Sequence, residues 1–200
     1  SLILIGMFLS KIIGYIYRLI IARFLGPDQY GLFTLSLAIL GVLSMFATLG
    51  LPQGTLRFIS YYIGKKNYKK INSTILFTFK IIIPVSIIFA VIVFLLSNII
   101  AVSIFHNSQL IFLIKFVAIL IPLTVLSMNL EMIIQAFQKI KYIVYTRNII
   151  ESLIKLVLTI FLFLIGFKIA GVIFAYTISI FATVLIFYYF LKKKIFPSFS

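Results

Sequence analysis

Six long apolar runs, with most of the basic residues gathered in alternate gaps between them, leave this chain one kind of fold. The runs are residues 2–25, 31–50, 71–100, 110–130, 148–167 and 170–191. Each holds roughly the 20 residues that cross ~30 Å of hydrocarbon at 1.5 Å per residue. Backbone in lipid must satisfy its own hydrogen bonds, so only helices and closed barrels span it, and these runs far exceed the ~10 residues of a barrel strand. The expectation is an all-α polytopic membrane protein with six transmembrane helices.

Composition agrees and closes other doors. Hydrophobic residues make up 64% of the chain, against roughly 45–50% in soluble domains. A formal net charge of +15 raises the question of nucleic acid, but the lysines and arginines flank or interrupt apolar runs and form no soluble basic domain. No nucleic-acid partner is expected. The absence of cysteine excludes disulfides and thiolate metal sites. The first run carries Lys11, Arg18 and Arg23, unlike the apolar core of a cleavable signal peptide. It is already under way at Ser1, so a few preceding residues are expected.

Basic residues set the orientation. Arg57, Lys65, Lys66, Lys69 and Lys70 lie between runs two and three, Lys139, Lys141 and Arg147 between four and five, and Lys192, Lys193 and Lys194 after six. These eleven share one side, against Arg23 and Lys168 on the other. Basic loops stay cytoplasmic, which places both ends of this segment on the cytoplasmic side of the cell membrane. With no tryptophan in the chain, the interfacial belt falls to tyrosine. Tyr30 takes the outer boundary, and Tyr61, Tyr62, Tyr68, Tyr142, Tyr145, Tyr188 and Tyr189 take the inner one. The stretch 59–71 mixes tyrosines with lysines and reads as an anchor to anionic headgroups of the membrane lipids.

Glycine and proline mark where helices change direction. Gly50, Leu51, Pro52, Gln53 and Gly54 interrupt the second run, yet helix-compatible sequence resumes through Tyr62. The expectation is one long helix over 31–62, bent near Pro52, with Gly50, Pro52 and Gly54 as the hinge that borders a central cavity. Pro84 and Pro122 lie deep in their runs and are expected to kink them.

Acidic residues number three. Asp28 belongs to the short outer turn 26–30, where turn formation is its expected role. Glu151 precedes Lys155 by four residues, the favoured spacing for a helical ion pair. Glu131 sits near the inner end of the fourth run beside Asn129 and Gln135, facing either a cavity or the interface. His106 stands with Asn107 and Ser108 in an outer loop. No carboxylate pair, histidine cluster, phosphate-binding loop or nucleophile motif is present, and phosphate chemistry through Mg²⁺ would need clustered acids. Neither an enzyme, a metal site nor a cofactor is expected.

Intramembrane cations are the feature left over. A lysine or arginine at the bilayer centre costs roughly 2.5–3.5 kcal/mol on insertion scales. Lys11, Gly14 and Arg18 share one helix face, with the two cations about 10 Å apart along the axis. Lys80 and Lys115 add further charge, although snorkelling to the interface would account for either. The acids near the spans are too few to neutralise these cations. Their natural complement is an anionic ligand in a water-filled cavity.

These same residues carry a resemblance. Ser10, Lys11 and Gly14, then the unbroken run from Ala22 and Arg23 through Gly26, Pro27 and Tyr30 to Gly31, then Leu49, Gly50, Leu51 and Pro52, and the stretch from Arg57 to Tyr61, resemble the Wzx-type oligosaccharide flippases. Those belong to the multidrug/oligosaccharidyl-lipid/polysaccharide (MOP) superfamily. The close likeness covers about residues 8–75, and the pattern A-R-x-L-G-P-x-x-Y-G followed by L-G-L-P is fairly specific. The resemblance implies a MATE-like transporter of two six-helix lobes around a central cavity, of which this chain supplies one; the second lobe lies elsewhere in a longer protein or in a partner. It implies a lipid-linked anionic oligosaccharide as substrate, an isoprenoid diphosphate carrier flipped from inner to outer leaflet by alternating access. The basic residues implied to line the cavity match Lys11, Arg18, Arg23 and Arg57 here. A drug–cation antiporter of the related multidrug branch is the alternative, but it would need more membrane acids than this chain has. A non-transporting membrane assembly protein is a third reading, one that would not require cations aligned on a helix face.

Overall fold

One residue turns the first helix into two membrane passages. In the computed structural model, which describes residues 2–195, α1 (Leu2–Ala47) is broken at Gly26, where φ is 76° and ψ is 171°. That backbone region is essentially open to glycine alone. Pro27 follows in the first turn of the next helical stretch, where its missing N–H is not needed. Asp28 is therefore helical and sits where a carboxylate favours a helix N-terminus, so the expected five-residue turn is a single-residue break. The two halves fold back on each other: Gly14, Arg18 and Ile21 before the break and Tyr30, Thr34 and Leu37 after it wall one cavity.

The second passage ends in a break rather than in the expected bend at Pro52. Leu49 (φ 49°) and Gly50 (φ 70°) are both left-handed, which ends the helical ladder in a turn closed by the Leu51 N–H donating to the Thr48 carbonyl at 2.9 Å. A new helix, α2 (Leu51–Gly64), then starts with Pro52 in its first turn. Proline is tolerated there, so it begins a helix instead of kinking one. The buried face of α2 is Pro52, Thr55 and Ile59. The Thr55 and Thr78 hydroxyls, 3.2 Å apart, tie it to the third passage; such interhelical bonds contribute about 0.6 kcal/mol in membranes.

The remaining passages follow the apolar runs. α3 (Tyr68–Ile99) continues into a π-helical turn, and α4 (Leu110–Ala136) returns. Both run on through their prolines, Pro84 and Pro122. The fifth passage is composite: α5 (Ile140–Ile143), a π-helical segment Val144–Ile150, and α6 (Glu151–Leu164). α7 (Ile169–Phe190) is the sixth. Ser1, residues 196–200 and the Lys194 side chain, part of the basic tail, lie outside the described residues. Among the described residues four helical stretches are long and apolar enough to cross a membrane unaided: Ser10–Ala47, Tyr68–Ile104, Leu110–Ala136 and Ile169–Lys193. The fifth passage reaches that length only with its π-helical segment included.

α4 is the centre of the bundle and packs against α1, α2, α3 and α7. It buries residues on all sides, as a helix surrounded by other helices must. At one end of the bundle, Ile59, Ile71, Ile133 and Phe187 form their own buried cluster. There Lys65 lies over the Tyr61 ring at 4.6 Å, Lys70 over Tyr62 at 5.5 Å, Lys141 over Tyr142 at 5.1 Å and Lys193 over Tyr189 at 5.2 Å. This is the basic end. At the opposite end the Gly26 turn meets the 106–109 loop around a hollow of about 670 Å³.

Candidate functional site

The second and fifth passages face each other along a seam that opens into two cavities. The helical stripe Tyr30, Thr34, Leu37, Gly41, Met45 and Thr48 supplies one wall of both, with the spacing of a single helix face. The cavity nearer the Gly26 turn measures about 480 Å³ and is walled by Gly14, Tyr17, Arg18, Ile21, Tyr30, Phe33, Thr34, Leu37, Lys155 and Tyr176. Two of these are cations and none is acidic. The Lys155 ammonium lies 5.2 Å from the Tyr17 ring and 5.3 Å from the Tyr176 ring. Two aromatic faces stabilise a desolvated cation by about 2 kcal/mol each. An arginine fork and an ammonium beside one space can hold the oxygens of a phosphate or diphosphate.

The expected pairing of Glu151 with Lys155 does not form. Glu151 instead accepts a hydrogen bond from the Thr183 hydroxyl on α7 at 3.0 Å, and Lys155 is taken up by the two rings. Tertiary partners from residues 17, 176 and 183 outweigh an i, i+4 contact that contributes only about 0.2–0.5 kcal/mol.

The second cavity, about 590 Å³, lies toward the basic end and is walled by Gly41, Met45, Thr48, Gly50, Pro52, Gln53, Met128, Glu131, Met132 and Arg147. Glu131 faces the cavity and is ion-paired with Arg147 across the fourth and fifth passages. Ser44, Asn129 and Thr146, next in sequence to Met45, Met128 and Arg147, bury polar atoms that have no hydrogen-bond partner among the described residues. The interior at this level holds more hydrogen-bonding capacity than its own contacts use.

All four basic residues singled out in the sequence are exposed; Arg18 also lines the first cavity, whereas Lys11, Arg23 and Arg57 belong to neither. Gly50 and Pro52 wall the second cavity, whereas Gly54 does not. Lys80 is exposed on α3, and Lys115 is exposed over the Phe94 ring at 5.6 Å. Sequence reasoning missed Lys155 and Arg147, the first because Glu151 stands at pairing distance, the second because it reads as a loop cation. The π-helical segment draws Arg147 into the bundle.

The chain matches the family of polysaccharide biosynthesis proteins over residues 1–200. No curated protein matches it. Among solved structures it is similar to a MATE point mutant, at 20% identity and a TM-score of 0.72 over 95% of this chain and 44% of the other. It is also similar to a MATE protein in the bent conformation, at 20% identity and a TM-score of 0.68, with the same coverage of 95% and 44%. A third is a MOP superfamily transporter from Pyrococcus furiosus, described as having a binding pocket of reverse polarity that suggests a different function. The identity is 20%, the TM-score 0.69, and the coverage 98% of this chain and 46% of that one. The chain thus spans under half the length of the structures it matches, and the fold they share with it is one six-helix lobe of a MOP transporter. By its family model, which covers its whole length, the chain belongs to the family of polysaccharide biosynthesis proteins.

Proposed function

We infer that the complete protein flips an isoprenoid-diphosphate-linked oligosaccharide from the inner to the outer leaflet by alternating access, for cell-surface polysaccharide synthesis. The observation that carries this reading is the cavity in which Arg18 and Lys155 converge with three tyrosines and no carboxylate. Two cations bordering one cavity attract an anion and repel a cation. A drug–cation antiporter is favoured by the likeness to MATE proteins, but that cavity has the opposite polarity to the one a cationic drug requires. A reversed pocket polarity is described for the similar Pyrococcus furiosus transporter as well. Lys11, Arg23 and Arg57, exposed on the first passage and α2, attract the headgroup toward the site, and the Thr48–Gly50 break with Pro52 serves as hinge. A second six-helix lobe closes the far wall.

The basic end faces the cytoplasm, following the basic-residue asymmetry. Lys66→Cys and Lys139→Cys are therefore expected to be shielded from an impermeant thiol reagent in intact cells and Asn107→Cys to be labelled; the opposite pattern reverses the orientation. The function itself is tested by reconstituting the complete protein in vesicles with a labelled isoprenoid-diphosphate-linked sugar. The label is expected to exchange between leaflets above the protein-free rate, and no exchange contradicts the reading.

A further inference from the structure

The fifth passage carries a charge ladder that the Arg18–Lys155 cavity uses only in part. Arg147, Glu151 and Lys155 follow one another at four-residue intervals. In a plain α-helix each such step overshoots the turn by about 40°, so the first and last would diverge by about 80°. The π-helical segment Val144–Ile150 alters this. Its i→i+5 bonding, seen where the Glu151 N–H donates to the Thr146 carbonyl, widens the turn so that the first step falls short instead. The two deviations offset. Arg147 and Lys155 each wall a cavity on the same seam, about 12 Å apart along the axis.

Arg147 has donors to spare. One N–H group on Nη1 goes to a Glu131 carboxylate oxygen, and 39% of the arginine side chain remains open, so most of its five donors can face the cavity. Gln53 adds an amide, and Met45, Met128 and Met132 give the rest of the wall an adaptable apolar surface. That combination suits a ligand that is anionic at one end and an irregular hydrocarbon at the other.

We propose that Arg147 forms a second binding station for the phosphate-bearing headgroup, nearer the basic end, and that Glu131 occupies its guanidinium until the ligand arrives. The proposal rests on the anionic-ligand reading of the Arg18–Lys155 cavity. A diphosphate offers more charge and more acceptor oxygens than one carboxylate, so it displaces Glu131 from part of the fork. The carboxylate stays close enough to weaken the hold, and a weak hold at each of two sites lets the ligand move on. Until displacement, Glu131 keeps the arginine from standing unpaired inside the membrane.

The test uses the complete protein with any other cysteines removed, since this chain has none of its own. Met128→Cys reports the second cavity and Thr34→Cys the first. The probe is farnesyl diphosphate, and the readout is protection from a thiol reagent. Both thiols are expected to be protected. Glu131→Gln is expected to tighten the protection at Met128→Cys about tenfold, since it frees a charged hydrogen-bond donor. Glu131→Gln combined with Arg147→Gln, a neutral pair of similar shape, is expected to abolish protection at Met128→Cys and to spare it at Thr34→Cys. Protection at Thr34→Cys alone, with Glu131 or Gln at 131, overturns the second station and leaves the first standing. Weaker protection at Met128→Cys on Glu131→Gln alone makes the ion pair a structural tie and overturns the proposal, as does protection there that survives the double substitution. Protection at neither thiol overturns both stations.

Discussion

Lys155→Met in the complete protein is expected to stabilise it and to stop it working. The ammonium lies between the Tyr17 and Tyr176 rings, and among the described residues no carboxylate is within ion-pairing distance of it. A charge so placed costs more than an apolar side chain of similar volume, so Met at that position is expected to raise the apparent Tm in detergent. Export of surface glycan at matched membrane expression is expected to fall about tenfold or more, the effect of losing a charged hydrogen-bond donor at a phosphate. Arg18→Ala is expected to cause a loss of the same order, and Arg18→Lys to recover little, because lysine lacks the planar fork. A residue kept only for packing would move stability and export in the same direction. Retained export in Lys155→Met removes the lysine from the mechanism, and normal export in Arg18→Ala removes the arginine.

The two glycines at the ends of the second passage are expected to behave differently. Gly26 combines φ 76° with ψ 171°, a region closed to residues with a Cβ, whereas Gly50 lies in the ordinary left-handed region at φ 70°, ψ 2°. Space is not the issue, since a Cβ at either position would meet nothing within 4 Å. Gly26→Ala therefore carries backbone strain of about 1–3 kcal/mol, at the point on which the whole first hairpin folds. A lower yield of monodisperse protein and a Tm reduced by several degrees are expected. Gly50→Asn is expected to remain close to the unsubstituted protein, because asparagine tolerates the left-handed conformation, and Gly50→Ala to fall between. Thermal unfolding of the three variants checks the order; equal tolerance at 26 and 50 contradicts the assignment of the turn to a single residue.

These positions also show how far a single sequence reaches. Runs of 20 or more apolar residues have one physical solution in lipid, so the helical fold could be read directly. Gly26 followed by Pro27 marked the first break correctly, yet the number of residues it consumed depended on backbone angles that composition does not carry. At Gly50 the proline drew attention as a bend, while the neighbouring Leu49 adopts a left-handed conformation that its side chain gives no reason to expect. Arg18 was legible because its charge lies deep in an apolar run. Lys155 was not, since its local neighbour Glu151 offered a sufficient partner and the actual partners stand more than 20 residues away on either side, at Tyr17 and Tyr176. Arg147 needed the π-helical segment to bring it inward, and no local pattern announces one.

The central claim is that the cavity shared by Arg18 and Lys155 selects an anion, and ligand competition at Thr34→Cys tests it most directly. In the complete protein, farnesyl diphosphate is expected to slow modification of that thiol, with the protection weakened by Arg18→Ala and by raised salt. Tetraphenylphosphonium, an apolar cation, is expected to give no protection at the same concentration. Protection by the cation and none by the diphosphate would contradict the account.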